Sequence, residues 1–496
     1  MKKANALMMK KALYYLLVTA LFLLSFRLFS ALYYPLLNSD NGVNVLMIHY
    51  FSLPHDLYFW GQDRMGSLVA LIAQPLFQGL GLSAIASESI AHYFILLLGF
   101  LAFASFFKSY FLKIIFAIVW FFPPMRLIDV TQFSFGLHYS IIAIACYLLT
   151  FLKITKVQEN RFLRHLILIS VILLLIIAVW VSDMALISVF LFGVIHLFYL
   201  IRERNKVPVF RQPDIYYGFG GVIIAFLFIH YAKSAADVRS NYASFSDFET
   251  TLKTLGVFIE SISDQLFFRT GELFTGIYTY LVFLFLGVLV FQLKKFKENP
   301  SSSRWIWFFL LDTMFLFGVI MISEWTIIND VPRRYFTCTY IAFSFFILLV
   351  YDNIELNRRR KMLVNSLLLI TVIAGGISAP YAMEYAWPKT LVPKVEVVRE
   401  FERLGKIGVI SNYWNSYVTS VSNPEMIMVT PHEKAEVRNY EIVEEVFRRE
   451  NIYIIRDGWM ETFPDTLIQF DHTLVRAGEE IYVGDCYVCR YELIDN

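Results

Sequence analysis

Residues 166–201 read LILISVILLLIIAVWVSDMALISVFLFGVIHLFYLI, two apolar runs divided by Ser182 and Asp183. Each run approaches the ~20 residues that an α-helix needs to cross a bilayer core. Neither alternates polar with apolar residues as a barrel strand would, so the pair predicts a helical hairpin with a two-residue turn. Its count decides the side of the membrane on which everything after it lies, because losing one span inverts the rest.

Similar runs lie near 13–32, 89–107, 110–123, 137–152, 215–232, 273–293, 305–322, 335–351 and 362–379. With 166–181 and 184–201 they predict a polytopic α-helical membrane protein of about eleven transmembrane helices. The composition agrees: 57% hydrophobic and 17% aromatic residues, with a mean hydropathy of +0.57, are far above a soluble chain. A formal net charge of +2, with no basic stretch interleaved with stacking aromatics outside the spans, sets nucleic acid aside as a partner. The first run follows Lys2, Lys3, Lys10 and Lys11 but is too long for a secretory signal and lacks a small-residue cleavage site. It reads as a retained helix.

Lys and Arg are retained in cytoplasmic loops, and here they alternate. One set of connections carries Lys108 and Lys113, then Lys153, Lys156, Arg161 and Arg164, then Arg202, Arg204, Lys206 and Arg211, then Lys294, Lys295, Lys297 and Arg304, then Arg358 to Lys361. These read as inside. The segments 33–88, 124–136, Ser182-Asp183, 233–272 and 323–334 then face outward, with the chain after 380, and the N-terminus is cytoplasmic. The Pro-Ser-Ser-Ser segment at 300–303 reads as a loop.

After about Pro393 charged residues become common and apolar runs short, which marks a small soluble α/β domain over 393–496 behind a membrane domain over 1–392. Strands are expected at 406–410, 426–429, 452–455, 473–476, 481–483 and 486–493, with an amphipathic helix over 440–450. Cys146 and Cys338 read as buried small apolar residues. Cys486 and Cys489 would point to opposite faces of one strand, which makes a disulfide awkward.

Polar residues gather in the outer segments. The first, 33–88, holds Leu37-Asn38-Ser39-Asp40-Asn41-Gly42 and the aromatic stretch Leu57-Tyr58-Phe59-Trp60-Gly61-Gln62-Asp63-Arg64. Its apolar content predicts short helices at the membrane interface rather than a solvated excursion. Asp40 is a candidate general base, although Ser-Asp-Asn-Gly is also turn-prone. Arg64, Arg333 and Arg334 are cations on the side normally depleted of them, suited to a phosphate or to interfacial anchoring. Asp183 reads either as a second carboxylate or as a helix cap. Asp129, His138, Tyr413 and Trp414 are further candidate substrate contacts, set against hydrogen-bonded structure for His138 and domain packing for Tyr413 and Trp414. No His/Asp cluster at ligand spacing is present, which favours metal-independent chemistry and leaves a divalent cation open.

Phe59-Trp60-Gly61-Gln62 followed by Gly66-Ser67-Leu68, and Arg333-Arg334-Tyr335 before a late helix, resemble segments of bacterial members of the GT-C superfamily of membrane glycosyltransferases. That superfamily includes protein O-mannosyltransferases and the transferase that puts aminoarabinose on lipid A. The resemblance covers most of the chain, except that Asn41 follows Asp40 where the O-mannosyltransferases carry paired acids. It implies a multi-pass protein of the inner (plasma) membrane with an extracytoplasmic C-terminal domain. It further implies transfer of a sugar, with inversion, from a polyprenyl-phosphate donor to a lipid, glycan or protein acceptor. On that reading Asp40 is the base, with Asp183 as partner; Arg64, Arg333 and Arg334 hold the donor phosphate, and Gln62 and Tyr335 join the substrate contacts. The competing class is a transporter or flippase for a lipid-linked sugar, for which the internal repeats and mid-membrane charges are not apparent. A non-catalytic scaffold is the third.

Overall fold

The computed structural model describes residues 2–133, 136–152, 157, 159–202, 213–236, 244–297, 300–383 and 391–494. The predicted inside cations Lys153, Lys156, Arg204, Lys206 and Arg211 lie outside the described residues. The chain forms two compact units. One comprises Met1–Ser25, Phe94–His230 and Asn241–Thr390; the other comprises Phe26–Tyr93, Tyr231–Ser240 and Leu391–Asn496.

Among the described residues nine helices are long and apolar enough to cross a membrane, including Arg161–Val181 and Ala185–Arg202 on either side of the Ser182-Asp183 turn. This is a multi-pass membrane protein. Two of the eleven predicted spans are shorter, Tyr110–Phe121 and Leu137–Phe151. At ~1.5 Å per residue neither reaches across a ~30 Å core. Pro123 and Pro124 follow the first closely, and Gly136 stands at φ +88° immediately before the second. Between them, among the described residues, lie a 3₁₀ turn, Met125–Leu127, and the four-residue helix Asp129–Gln132.

The first unit is held by interleaved aromatic rings. Phe345 lies 4.5 Å from Phe103 and 4.6 Å from Phe309, centroid to centroid, while Phe116 and Trp120 also pack on Phe103. Such pairs add about 0.5–1.5 kcal/mol each beyond burial. One expectation is corrected here. Residues 300–303 are the first turn of helix Pro300–Ile322, because proline tolerates the start of a helix, where its missing N–H costs nothing. Within the segment 233–272, Asp247 caps an amphipathic helix, Phe248–Leu266, by accepting from Thr250 N at 2.7 Å.

In the second unit the tail forms a six-stranded sheet: β1 (Ile407–Ser411), β2 (Ile427–Pro431), β3 (Asn451–Arg456), β4 (Thr466–Gln469), β5 (His472–Val483) and β6 (Cys486–Ile494). Their order is β2-β1-β3-β6-β5-β4, with β1 parallel to β2 and β3 and the rest antiparallel. Helices Tyr413–Thr419 and Tyr440–Phe447 make the crossovers, which is why β1 and β2 are buried throughout. The two strands expected near 473 and 481 are one strand with an irregularity between Arg476 and Glu480, and β4 was not foreseen. All four cysteines are free thiols.

The first loop belongs to this unit. Its helix Ser39–His49, buried on nearly every side, packs on Tyr413–Thr419, and a Cβ at Gly42 would stand only 2.6 Å from the Tyr417 carbonyl. Gly42→Ala is therefore expected to destabilise the protein by about 1–3 kcal/mol. Thermal unfolding in detergent should show a lowered midpoint relative to Gly256→Ala, where no atom lies within 4 Å of the added carbon.

Candidate functional site

Asp40 sits in the first turn of a helix rather than in a loop. Asn38 caps that helix, its side chain accepting from Asn41 N at 3.3 Å while Asn41 Oδ1 accepts from Asn38 N at 3.4 Å. Asn41, where a second acid would complete the paired motif, is thus one half of a capping box. The half-buried Asp40 carboxylate stands at the positive end of the helix dipole. Tyr413, from the start of the crossover helix after β1, donates its O–H to Asp40 Oδ1 at 2.6 Å.

Arg438, which the sequence reading did not single out, completes this cluster. Its guanidinium stands 4.9 Å from the centroid of the Tyr413 ring and its Nε donates to the Tyr413 hydroxyl at 3.4 Å. Its backbone N–H donates to Tyr417 Oη at 2.7 Å. Burial, then the Asp40 carboxylate, push the Tyr413 phenol well above its ordinary range, and Arg438 offsets this only in part. Tyr413 is accordingly a donor throughout the working pH range. Burial opposes the Arg438 charge, but Tyr413 and Asp40 outweigh it and raise its pKa.

The aromatic stretch folds back beside Arg438. Gly61 has φ +74°, and a Cβ there would meet Arg438 Cδ at 2.8 Å. The turn is held by Phe59 N donating to Met65 O at 2.8 Å and, behind it, by the buried Asp56. Asp56 accepts from Trp60 Nε1 at 2.7 Å and from Ser52 N at 2.6 Å, and its carbonyl accepts from Ser67 Oγ. Gln62 Oε1 accepts from Arg64 Nε at 3.0 Å.

In the other unit, Arg333 and Arg334 lie in a 3₁₀ turn, Arg333–Phe336, that leads into helix Thr337–Asp352 and packs against the turn Met125–Leu127. Arg333 donates to Ser261 of the amphipathic helix and faces Phe258 at 5.6 Å. Arg126, also missed from the sequence, forms a two-pronged ion pair with Glu272 at 2.6 and 3.2 Å, and both act electrostatically on Arg333. Arg334 lies 5.8 Å from the ring of Tyr335, which packs partly on Ile320, Met321, Val331 and Phe336.

The remaining candidates are scattered. Asp183 is exposed in its turn, and its carbonyl accepts from Leu186 N at 3.1 Å. Asp129 begins a four-residue helix. His138 is buried rather than bordering a surface, its Nε2 3.6 Å from Cys338 Sγ, because the helix that begins at Leu137 turns the ring into the bundle. Trp414 lies 5.2 Å from Tyr413 and is 50% exposed. Among the described residues no three His, Cys, Asp or Glu side chains gather as a metal would require. The expectation that mid-membrane charge is absent is corrected by Asp312, which is fully buried within helix Pro300–Ile322 and accepts from Tyr139 Oη and from Ser188 Oγ at 2.8 Å.

Over 98% of both chains, the structure is similar to ArnT from Cupriavidus metallidurans in the apo state, with a TM-score of 0.60 at 8% identity. The fold is ArnT-like. The same enzyme bound to undecaprenyl phosphate matches over 97% of both chains, again at 0.60 and 8%. Arabinofuranosyltransferase AftD from mycobacteria matches with a TM-score of 0.50 and 12% identity, over 98% of this chain and 40% of that one. No protein-family model and no curated protein sequence matches the chain.

The turn of the first loop depends on Asp56. Asp56→Ala would strip the acceptor from buried Trp60 Nε1, at a cost of about 1–3 kcal/mol. Limited proteolysis should show faster cleavage within residues 52–67 than in the wild type.

Proposed function

We propose that the chain is a glycosyltransferase that moves a sugar from a polyprenyl-phosphate donor to an acceptor outside the cytoplasm. The observation that carries this reading is the whole-chain likeness to ArnT, in a protein whose fold puts a tyrosine-bound carboxylate at the start of its first loop helix. The alternation of Lys and Arg supports an extracytoplasmic loop and tail in an inner (plasma) membrane protein.

Asp40 acts as general base. It takes the proton of the acceptor hydroxyl as that oxygen attacks the anomeric carbon from the face opposite the phosphate, giving inversion. The bond from the anomeric carbon to the phosphate oxygen breaks, and its electron pair leaves with polyprenyl phosphate. Tyr413, donating to one oxygen of Asp40, orients the carboxylate and stabilises its charge. Arg333, together with Arg334, meets the charge that grows on the departing phosphate, and planar guanidinium donors suit that task. Arg126, already paired with Glu272, adds positive potential to the same turn. Arg64 and Gln62, joined to each other, are substrate contacts in this reading, as are Tyr335 and Trp414. Asp183 orients the acceptor.

Asp312 favours the alternative of a flippase, since a buried acid inside a span is a common element of transport pathways. Two donors already satisfy it, which fits a structural tie among three helices equally well.

Purified protein in liposomes with labelled polyprenyl-phosphate sugar separates these readings. Release of free polyprenyl phosphate is expected; a change in sidedness of intact donor without turnover would replace the transferase by the flippase. Asp40→Asn should lower transfer by about 10²- to 10⁴-fold while the protein still inserts and folds. Undiminished transfer in that variant removes Asp40 from the chemistry. Arg333→Ala is expected to reduce kcat/KM for the donor by about 10²-fold, measured in the same assay, and an unchanged value assigns the donor phosphate to other residues.

A further inference from the structure

The tail domain contains a second polar site, in the crevice beyond the C-terminal ends of β1 and β3. It is a cavity of about 560 Å³ whose walls come from four places: Lys394 at the start of helix Lys394–Val398, Asn415 on the helix after β1, Arg456 and Asp457 at the end of β3, and Tyr482, Asp485 and Tyr487 on the hairpin of β5 and β6. Ligands of α/β domains characteristically occupy this edge of a parallel sheet.

The hairpin is built to present its tip. Gly484 at φ +58° and Asp485 at φ +61° form a two-residue turn closing the pair Val483 and Cys486, the geometry that suits the twist of the strands. Directly behind the turn Tyr482 and Tyr487 oppose each other across the strands, rings 5.1 Å apart and tilted by 67°. They are 60% and 46% exposed; the Arg456 guanidinium stands 4.7 Å from the Tyr487 ring centroid, and the tyrosine surface left at the cavity mouth is an apolar platform with polar tips. Opposite it, the Asp457 carboxylate accepts from Asn415 Nδ2 at 2.7 Å and from Asn412 N at 3.2 Å, so the amide and the acid are held in fixed orientation.

The charges select among ligand classes. Lys394 and Arg456 are matched by Asp457 and Asp485, and Arg456 is further bound to Glu480 at 3.0 Å. A wall so balanced offers no excess potential to a polyanion such as a nucleotide diphosphate. A peptide that adds a strand would need a free sheet edge, and the edges here are β2 and β4, whereas the cavity lies at the ends of β1 and β3. What remains is a ligand that stacks its C–H face on an aromatic ring and offers many hydroxyls to carboxylate, amide and ammonium groups.

We infer that this cavity is a saccharide-binding subsite, which takes a sugar unit of the acceptor. The acceptor part of the inference rests on the transferase reading above; the binding of sugar does not.

The test uses full-length protein in detergent or nanodiscs, without donor, and saturation-transfer NMR with maltotriose, mannotriose and N,N′-diacetylchitobiose as probes and inorganic pyrophosphate as the polyanion control. Saturation of C–H protons of at least one sugar is expected. Tyr487→Ala should weaken that binding about tenfold, the loss of one ring contact. Asp485→Asn should weaken it as well, in a residue type that keeps the left-handed turn and hence the hairpin. Saturation of none of the three sugars, tighter binding of pyrophosphate, or sugar binding unchanged in both variants overturns the subsite. Sugar binding lost in these variants, in a wild type that never releases polyprenyl phosphate from donor, keeps the subsite and overturns the transferase.

Discussion

Backbone amides in hydrocarbon must find partners inside their own helix, and that requirement governs the rest of this protein. It commits the spans to apolar helix and leaves irregular backbone, glycine turns and most charged side chains to the connections and the tail, Asp312 being a buried exception tied by two hydroxyls. The two short apolar helices, Tyr110–Phe121 and Leu137–Phe151, are where the rule bends. Between them the chain makes a 3₁₀ turn and a single helical turn, and there Arg126 meets Glu272 and the Arg333 turn. The cation cluster thus arises where two helices stop short.

Hydropathy and charge alternation made the helical class and the run of spans readable directly, and strand alternation gave most of the tail sheet. What stayed hidden depends on position in three dimensions. Asp40 and Tyr413 are 373 residues apart, and no local pattern joins them. Tyr413 was weighed as a packing residue, which it is, but the surface it packs on is the helix that carries Asp40. Arg438 looked like an ordinary tail arginine until Gly61 and Tyr413 came to lie beside it. Helix Phe248–Leu266 carries no span signal, because its apolar residues are diluted by Glu249, Lys253, Glu260 and Asp264.

Asn41 shows how local chemistry accounts for a departure from a familiar pattern. An acid at that position could accept from Asn38 N as the amide oxygen does, but it would stand as a second negative charge beside Asp40. The asparagine keeps the helix start closed and leaves a single carboxylate there. Tyr413, on another element altogether, supplies a donor to Asp40.

Gly42 and Gly61 have a consequence for motion. One lets a helix of the first loop touch the backbone of the crossover helix, and the other lets the aromatic turn close over Arg438. With both contacts at van der Waals limit there is no slack between loop and tail. The loop cannot open and shut as an independent flap, and any displacement of Asp40 must carry the tail sheet with it. Motion of Asp40 is then collective motion of more than a hundred residues, the class that belongs to the slower range of domain movement rather than to the nanosecond range of a surface loop.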